Sequence, residues 1–583
     1  MRQLKRQLAV QLGDHGHVLM LAAGRLQPFE EARMVMGTFS DEPHFDRQLQ
    51  VAIQKDRRDK WYMIESVSGV MTRLSERFDL QLKVTERLRA LFGREFDLEW
   101  PDGRLQVTFL RGDVVYPSAK EASGLLHLVA ILAALYNDEL AAVLIDEPGI
   151  SLHPQYQSFV RSEMERVAGD PTAGKKLVVC ATHAPAMTRL RQPTDLCNVV
   201  FFRDVDTLPV QVAPADETLR NQKLGTFIQS LGASHREALF AARPLLVEGP
   251  SDEVVVDALD SALDVNLHAS GGHLVQAVGK GTMPTIIKLL HLIGKEPAVL
   301  ADLDGFTDGL DLVNAFNDVE SGRAAAGVAS DIRDSAKTAL EALEAAVVSN
   351  WTDIESLATS HSYWKDSTDP GTVAKMKRRA VAAVVLADNP ERINQLENGR
   401  LWVQLHRQLS TALDILEKAG LFILRHGEIE DHYREPADRD DKIGSAAIEA
   451  NAIRADPHSA EIRHSVALRA LRHVSPSLPV DESGAVRVAF ASVVAPAVSD
   501  LRGGRKTTTG ALSVTASRYA NSAASLFEVE RADTDDEPTL KVGLATSILD
   551  VIGFPVYVRA DEDAVTVADR YIQPKPHPTQ GTE

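Results

Sequence analysis

Two kinds of apolar run alternate along the chain. Short unbroken ones, at 141–145, 176–181, 245–247 and 299–301, stop abruptly at carboxylates or histidine and read as strands buried on both faces. Longer stretches at 125–136, 253–263 and 283–293 carry apolar residues at helical spacing. Alternation of the two predicts an α/β fold with parallel strands joined by right-handed crossovers. Upstream, Val67, Val70, Met71, Leu74 and Phe78 also fall at helical spacing and lead to a strand near 104–110. A strand at 198–202 and a polar stretch with two prolines at 204–220 read as the close of one domain and a connection. Residues 306–420 are alanine-rich, with helical stretches at 324–326, 336–348 and 373–386, and predict a helical insertion between two strands of a second sheet. Beyond 450, residues 460–471 look helical, and 484–494 and 545–558 read as strands or short helices. Three prolines between 574 and 583 predict a disordered tail. The resulting division is 1–215, 216–450 and 451–583.

Composition narrows the picture. A chain of 583 residues holds several domains, each able to bury its own core. The balance of 82 acidic against 63 basic residues, a net charge of −19, argues against a generally basic coat for nucleic acid. It leaves room for a local patch, and Lys375, Lys377, Arg378 and Arg379 form the one dense basic group of the insertion. That group suits a phosphate backbone or a partner subunit, or simply a solvated helix face. Arg502–Thr509 reads as a basic surface turn. Cys180 and Cys197 are too few and too far apart for a disulfide framework or a zinc site. No signal-like start and no run of about 18 apolar residues is evident, so the reading is a soluble, cytoplasmic protein without a membrane partner.

The candidate chemistry sits at strand ends. The run at 244–247 ends in Glu248-Gly249-Pro250-Ser251-Asp252, and the run at 299–301 ends in Asp302-Leu303-Asp304-Gly305. Asp302 and Asp304, two apart, share a face if the chain there is extended. Glu248 and Asp252, four apart where a strand turns into a helix, come to one side. Four converging carboxylates repel unless a cation intervenes, and hard oxygen donors suit Mg²⁺ or Mn²⁺.

Upstream, the order of motifs carries more than any one of them. Ser118-Ala119-Lys120-Glu121-Ala122-Ser123-Gly124 precedes an apolar helix whose first turn Ser123 or Gly124 can cap. The strand at 141–145 ends in Asp146-Glu147-Pro148, Ser151-Leu152-His153-Pro154 follows, and the strand at 176–181 ends in Thr182-His183. This order resembles the carboxyl-terminal half of an ABC-type ATPase head: signature, Walker B strand, D-loop and switch histidine. The resemblance implies that ATP is bound, with Asp146 holding Mg²⁺ through water, Glu147 polarising the attacking water and His183 sensing the γ-phosphate. Such a role agrees with phosphoryl transfer, which needs a metal and a positioned water. A G-x-x-x-x-G-K-[ST] phosphate loop is nowhere in the sequence, and the region before the signature offers only Ala22-Ala23-Gly24-Arg25. Two readings stay open: the true beginning lies outside this chain, or the head has lost independent nucleotide binding.

Strand, helix, strand, a Gly279-Lys280-Gly281 turn, helix and strand, with acids at the first and third strand ends, resembles the Toprim domain of topoisomerases, primases and OLD-family nucleases. An ABC-type head followed by Toprim is the arrangement of the OLD family, which includes Gabija-type anti-phage nucleases, and the resemblance covers roughly 115–445. It implies an α/β architecture of ATPase half-domain, Toprim domain with helical insertion, and an α/β extension. It further implies a metal-dependent DNA endonuclease using two metal ions, with Glu248, Asp252, Asp302, Asp304 and Glu430 as ligands. Lys442 would be the cation near the scissile phosphate. ATP control, a role in phage defence or DNA repair, a homodimer or higher homo-oligomer and a helicase partner follow by the same resemblance. Two alternatives are a non-catalytic dimerising or DNA-clamping protein with Toprim as scaffold, and a topoisomerase or primase relative. No tyrosine lies in a recognisable nucleophile setting, which weighs against a topoisomerase.

Overall fold

The unbroken apolar runs form parallel strands, as their pattern predicts. In the computed structural model, described residues are 1–23, 50–51, 61–99, 105–121, 123–203, 206–277, 279, 281–317, 332–365, 367–387, 390–476, 481–504, 508–519, 521–532 and 537–575. Gly24, Arg25, Ala122, Val278, Lys280, 324–326, 505–507 and 576–583, all invoked above, lie outside them. The chain divides into two compact units, Met1–Pro476 and Ser477–Glu583.

The first unit opens with α1 (Arg2–Gln11) and β1 (His17–Leu21). Then come α2 (Val67–Glu76), α3 (Phe78–Phe92) and an antiparallel group of β2 (Glu95–Glu99), β3 (Leu105–Arg111) and β4 (Val114–Pro117). Next are α4 (Ser123–Tyr136), β5 (Leu140–Asp146), α5 (Pro154–Val167) and β6 (Leu177–Ala181). Strands β1, β5 and β6 make a parallel sheet in the order β1-β5-β6. Helix α4 has no polar face because it is buried almost all round, from Leu126 to Leu135, against α2, α3 and the sheet.

After α6 (Gln222–Gln229) and α7 (Ala233–Ala238) a second parallel sheet begins. It contains β7 (Arg243–Val247), β8 (Gly272–Gln276), β9 (Ala298–Ala301) and β10 (Leu421–Ile423), ordered β8-β7-β9-β10. Helix α8 (Pro250–Ala262) joins β7 to β8, and α9 (Met283–Leu292) joins β8 to β9. Between β9 and β10 lie α10 (Asp304–Thr307), α11 (Asp311–Asn317), α12 (Ile332–Ala358), α13 (Pro370–Ala387) and α14 (Gly399–Lys418), which is the expected insertion. Strand alternation sorts the sheet into two cores. Leu246, Val275, Val299, Ala301 and Leu421 face one core with α9 and the insertion helices. Leu245, Val247, Leu274, Leu300 and Phe422 face the other, with α8, α15 (Lys442–Ala455), α16 (Pro457–Arg463) and α17 (Ser465–Val474). Each buried Val, Leu or Phe among them contributes roughly 1.5–3 kcal/mol over an exposed one. Because α15 and α17 cover the sheet, the unit runs to Pro476, past the division drawn at 450 from the apolar pattern.

The second unit holds α18 (Glu482–Arg502), α19 (Thr509–Tyr519), an antiparallel sheet of β11 (Phe527–Arg531), β12 (Thr539–Leu544) and β13 (Val556–Arg559), and α20 (Ala564–Tyr571). Residues 484–494, read as strand or short helix, lie inside α18. By length and composition α18 is the one helix among the described residues apolar enough to cross a membrane. Val486, Phe490, Val493, Val494, Ala497, Val498 and Leu501 of this helix are buried in the core of its own unit.

Candidate functional site

At adjacent strand ends of the second sheet, Glu248 follows β7 and Asp302 follows β9. One oxygen from each of Glu248, Asp302 and Asp304 lies within 4.8 Å of the others. The route to this convergence differs from the sequence argument. Strand β9 stops at Ala301, Leu303 is already helical at φ −59 and ψ −28, and Asp304 opens α10. Asp302 and Asp304 therefore meet across a tight strand-to-helix turn, not along one extended face. The Asp302 backbone N–H donates to Glu248 Oε1 at 3.2 Å, and the Ile429 N–H donates to Asp302 Oδ1 at 3.1 Å.

Asp252 and Glu430 form a second group beside the first. Asp252 Oδ2 accepts the Gly249 N–H at 2.8 Å, so the carboxylate also caps its own helix. Ser251 Oγ donates to Glu430 Oε1 at 3.4 Å. Lys442, the first residue of α15, reaches Glu430 Oε1 at 3.1 Å and Glu428 Oε2 at 3.0 Å. Burial, then the charges of Glu248 and Asp252, hold the Asp302 carboxyl well above the usual carboxylate range. Burial also pushes Asp252 up to about 6, with Glu430 adding to the shift and the Gly249 N–H opposing it. Burial opposes the charge of Lys442 as well, but Glu428 and Glu430 more than offset this and raise its pKa. A set of hard carboxylate oxygens that repel one another when bare fits a divalent cation such as Mg²⁺ or Mn²⁺.

The insertion supplies a wall that the sequence did not reveal. Arg379 of α13 donates from Nε to Asp308 Oδ1 at 2.7 Å and from Nη2 to Asp308 Oδ2, and its Nη1 lies 3.2 Å from Asp304 Oδ2. Its guanidinium sits over the Tyr363 ring at 5.7 Å. Tyr363 is buried, and burial with the nearby charges of Asp302 and Asp304 raises its pKa. The same loop is tied to the far strand: Ser362 Oγ donates to Asp431 Oδ2 at 3.0 Å, and His361 lies 3.2 Å from the His426 carbonyl. The basic group at 375–379, read as an outward grip or solvated face, is largely spent inside the unit. Arg378 pairs with Glu344 at 3.1 Å and Lys377 lies 4.2 Å over Trp351. The sequence marks Arg379 only as one of a basic group and marks Tyr363 not at all, because the contacts of both join residues far apart in the chain. A cavity of about 760 Å³ opens at Asp304, Gly305 and Asp308, with Lys223, Lys288 and Arg333 on its other walls.

In the first sheet, parallel pairing of β5 with β6 sets Asp146 opposite Ala181. Glu147 therefore meets Thr182 and His183: His183 Nδ1 lies 2.7 Å from Glu147 Oε1, and Thr182 Oγ1 donates to Oε2 at 3.3 Å. Glu147 has φ +51, a left-handed conformation uncommon for a side-chain-bearing residue. Ser123 and Gly124 begin α4 against the 150–152 turn, where a Cβ on Gly124 would lie 2.3 Å from the Ser151 carbonyl oxygen.

Comparison with known proteins follows this division. The family described as "Overcoming lysogenization defect protein-like, TOPRIM domain" matches residues 239–304, and "AAA domain, putative AbiEii toxin, Type IV TA system" matches 52–187. An OLD nuclease of Thermus scotoductus is 27% identical over 214 residues, covering 35% of this chain and 39% of the relative. Endonuclease GajA of Bacillus cereus is 26% identical over 144 residues, covering 25% of this chain and 23% of the relative. The chain thus spans less than half the length of either relative. A solved structure of the C-terminal region of the Xanthomonas campestris OLD protein aligns at 16% identity and TM-score 0.18, over 41% of this chain and 96% of that one. At that score the alignment says nothing about the fold. Toprim and AAA domains imply use of a divalent metal and a nucleotide in general. A segment similar to an AAA domain thus leads into one similar to the OLD-like Toprim domain, and both curated relatives are nucleases that match this chain over part of their length.

Proposed function

We propose that the chain is a Mg²⁺- or Mn²⁺-dependent DNA endonuclease of the OLD type. The observation that carries this is the convergence of Glu248, Asp302 and Asp304 within 4.8 Å at strand ends of an OLD-like Toprim domain. Divalent cations held there would activate a water and stabilise the leaving oxygen at phosphorus. Glu248, Asp302 and Asp304 would hold one cation, and Asp252 and Glu430 a second. Lys442, now paired with Glu428 and Glu430, is close enough to offer its ammonium group to a phosphate as those acids turn to metal. The cavity at Asp304, with Lys223, Lys288 and Arg333, is the natural place for the strand to be cut. Cations on that wall favour phosphates regardless of base sequence.

In this reading ATP is handled by the head: Asp146 serves its Mg²⁺, Glu147 polarises water and His183 reports the γ-phosphate, with Ser123 and Gly124 at the mouth of α4. Phage defence or DNA repair, a cytoplasmic homodimer or higher homo-oligomer, and a helicase partner belong to the same proposal. Plasmid nicking with Mg²⁺ or Mn²⁺ by wild type and Asp302→Ala tests the core of it. Loss confined to the variant supports the nuclease, whereas equal activity in both, or none in either, leaves a clamping or scaffold protein. For the head, ATP turnover by wild type equal to that of Glu147→Gln removes the hydrolytic role.

A further inference from the structure

Arg379 reaches the acidic strand ends from the middle of α13, seventy-odd residues away in sequence. Two of its N–H groups grip both oxygens of Asp308, which fixes the plane of the guanidinium. The remaining arm, Nη1, lies 3.2 Å from Asp304 Oδ2. Asp308 sits one turn beyond Asp304, just past the end of α10, so one planar fork spans a helical turn and ties both carboxylates to the insertion. Asp304 needs such a tie. It is the first residue of a four-residue helix, and it faces Glu248 and Asp302, whose charges push it out of the group.

We propose that Arg379 is a positioning residue of the metal centre: anchored on Asp308, it holds Asp304 in the orientation that completes the Glu248, Asp302 and Asp304 set. The proposal rests on the reading that these three carboxylates take a divalent cation. Arginine is required because the task is geometric. A lysine at 379 keeps the charge but, as a point cation, cannot grip Asp308 with two parallel bonds while reaching Asp304 with a third. Removing a partner that orients a metal ligand typically costs 10–100-fold in metal affinity. The insertion, which also covers one face of the sheet, is thereby made part of the centre.

The test is direct Mn²⁺ binding by the full-length chain without DNA, read from the electron paramagnetic resonance signal of free Mn²⁺. Arg379→Gln and Arg379→Lys both weaken binding by about 10-fold or more. Asp308→Asn weakens it less, and combining Asp308→Asn with Arg379→Gln adds little to Arg379→Gln alone, because the two act as one unit. Mn²⁺ affinity of Arg379→Lys equal to wild type would reduce Arg379 to a counter-charge and overturn the proposal, as would unchanged or tighter binding by Arg379→Gln. If Arg379→Gln does not fold, Arg379→Lys and Asp308→Asn carry the same decision. Wild type that takes up Mn²⁺ but cuts no DNA overturns the nuclease reading and leaves this inference standing. Variants that bind Mn²⁺ like an active wild type overturn the inference alone. Wild type that takes up no Mn²⁺ overturns both.

Discussion

Replacing Asp252 by asparagine should make the metal-free protein more stable, not less. The carboxyl is buried, and its pKa rises from 3.8 unfolded to about 6 folded. A raised folded pKa means that the folded state favours the protonated form. The stability this brings is present below the unfolded pKa and is lost as pH rises through the folded one. Two pKa units correspond to about 3 kcal/mol, so above about pH 6 the ionised Asp252 costs the fold an amount of that order. Asparagine keeps an oxygen for the Gly249 N–H and carries no charge. With about 2.1 cal/mol/K of unfolding entropy per residue, 3 kcal/mol shifts the melting temperature of a unit of this size by about 3 °C. The assay is thermal unfolding of wild type and Asp252→Asn in EDTA at pH 4.5 and 8. The gap between variant and wild type should shrink to about a third at pH 4.5, on its way to zero below pH 3.8, and the variant should melt higher at pH 8 by the full amount. With Mn²⁺ at a hundred times its dissociation constant, wild type should gain about 2.7 kcal/mol. Asp252→Asn should gain less, and the order of the two melting temperatures should close or reverse. A variant that melts lower than wild type at pH 8 in EDTA would refute the reasoning, and would make Asp252 a structural cap rather than a charge held for a cation.

Glu449 should act with the opposite sign. It is buried, and although burial opposes its charge, His464 at 2.9 Å, the Arg434 N–H at 2.7 Å and Arg463 at 2.8 Å lower its pKa from 4.5 to about 2. Its contribution, about 3 kcal/mol, is present above pH 4.5 and lost as pH falls toward 2, and Glu449→Gln should abolish that acid dependence in a pH series of unfolding curves. Gly124→Ala should destabilise the first unit by about 1–3 kcal/mol in thermal unfolding, because the Ser151 backbone cannot yield to a Cβ at 2.3 Å. Asp353→Ala removes the acceptor of Trp402 Nε1 at 2.6 Å and of the Glu397 and Asn398 N–H groups at 2.9 Å. The cost should be about 1–3 kcal/mol, with faster hydrogen exchange confined to the start of α14.

The strand ends were legible because a strand buried on both faces has a local signature, and the polar residue that stops it is where chemistry collects. Glu248, Asp302, Asp146 and His183 could be named on that ground. The grouping of Asp302 with Asp304 was expected for the wrong geometric reason, since a turn and not an extended face brings them together. Residues 484–494 read as strand or short helix, and the structure makes them part of the longer helix α18, whose apolar residues run nearly all round it and blur the difference between the two periods.

Sequence alone determined the strand and helix alternation and the acids at strand ends, because each is written in neighbouring residues, and it determined the order of the two motif-bearing segments, because that order is a property of the chain itself. Tertiary structure alone decided that Arg379 faces Asp304 and Asp308 rather than solvent, and that Tyr363 lies beside the acids. It also decided that Lys442 pairs with Glu428 and Glu430, and that α15 and α17 belong to the Toprim sheet. Those contacts join residues far apart in the chain. Local periodicity shows which face of a helix is apolar, but where the basic residues of the other face point is set only when the sheet, the insertion and the last helices pack together.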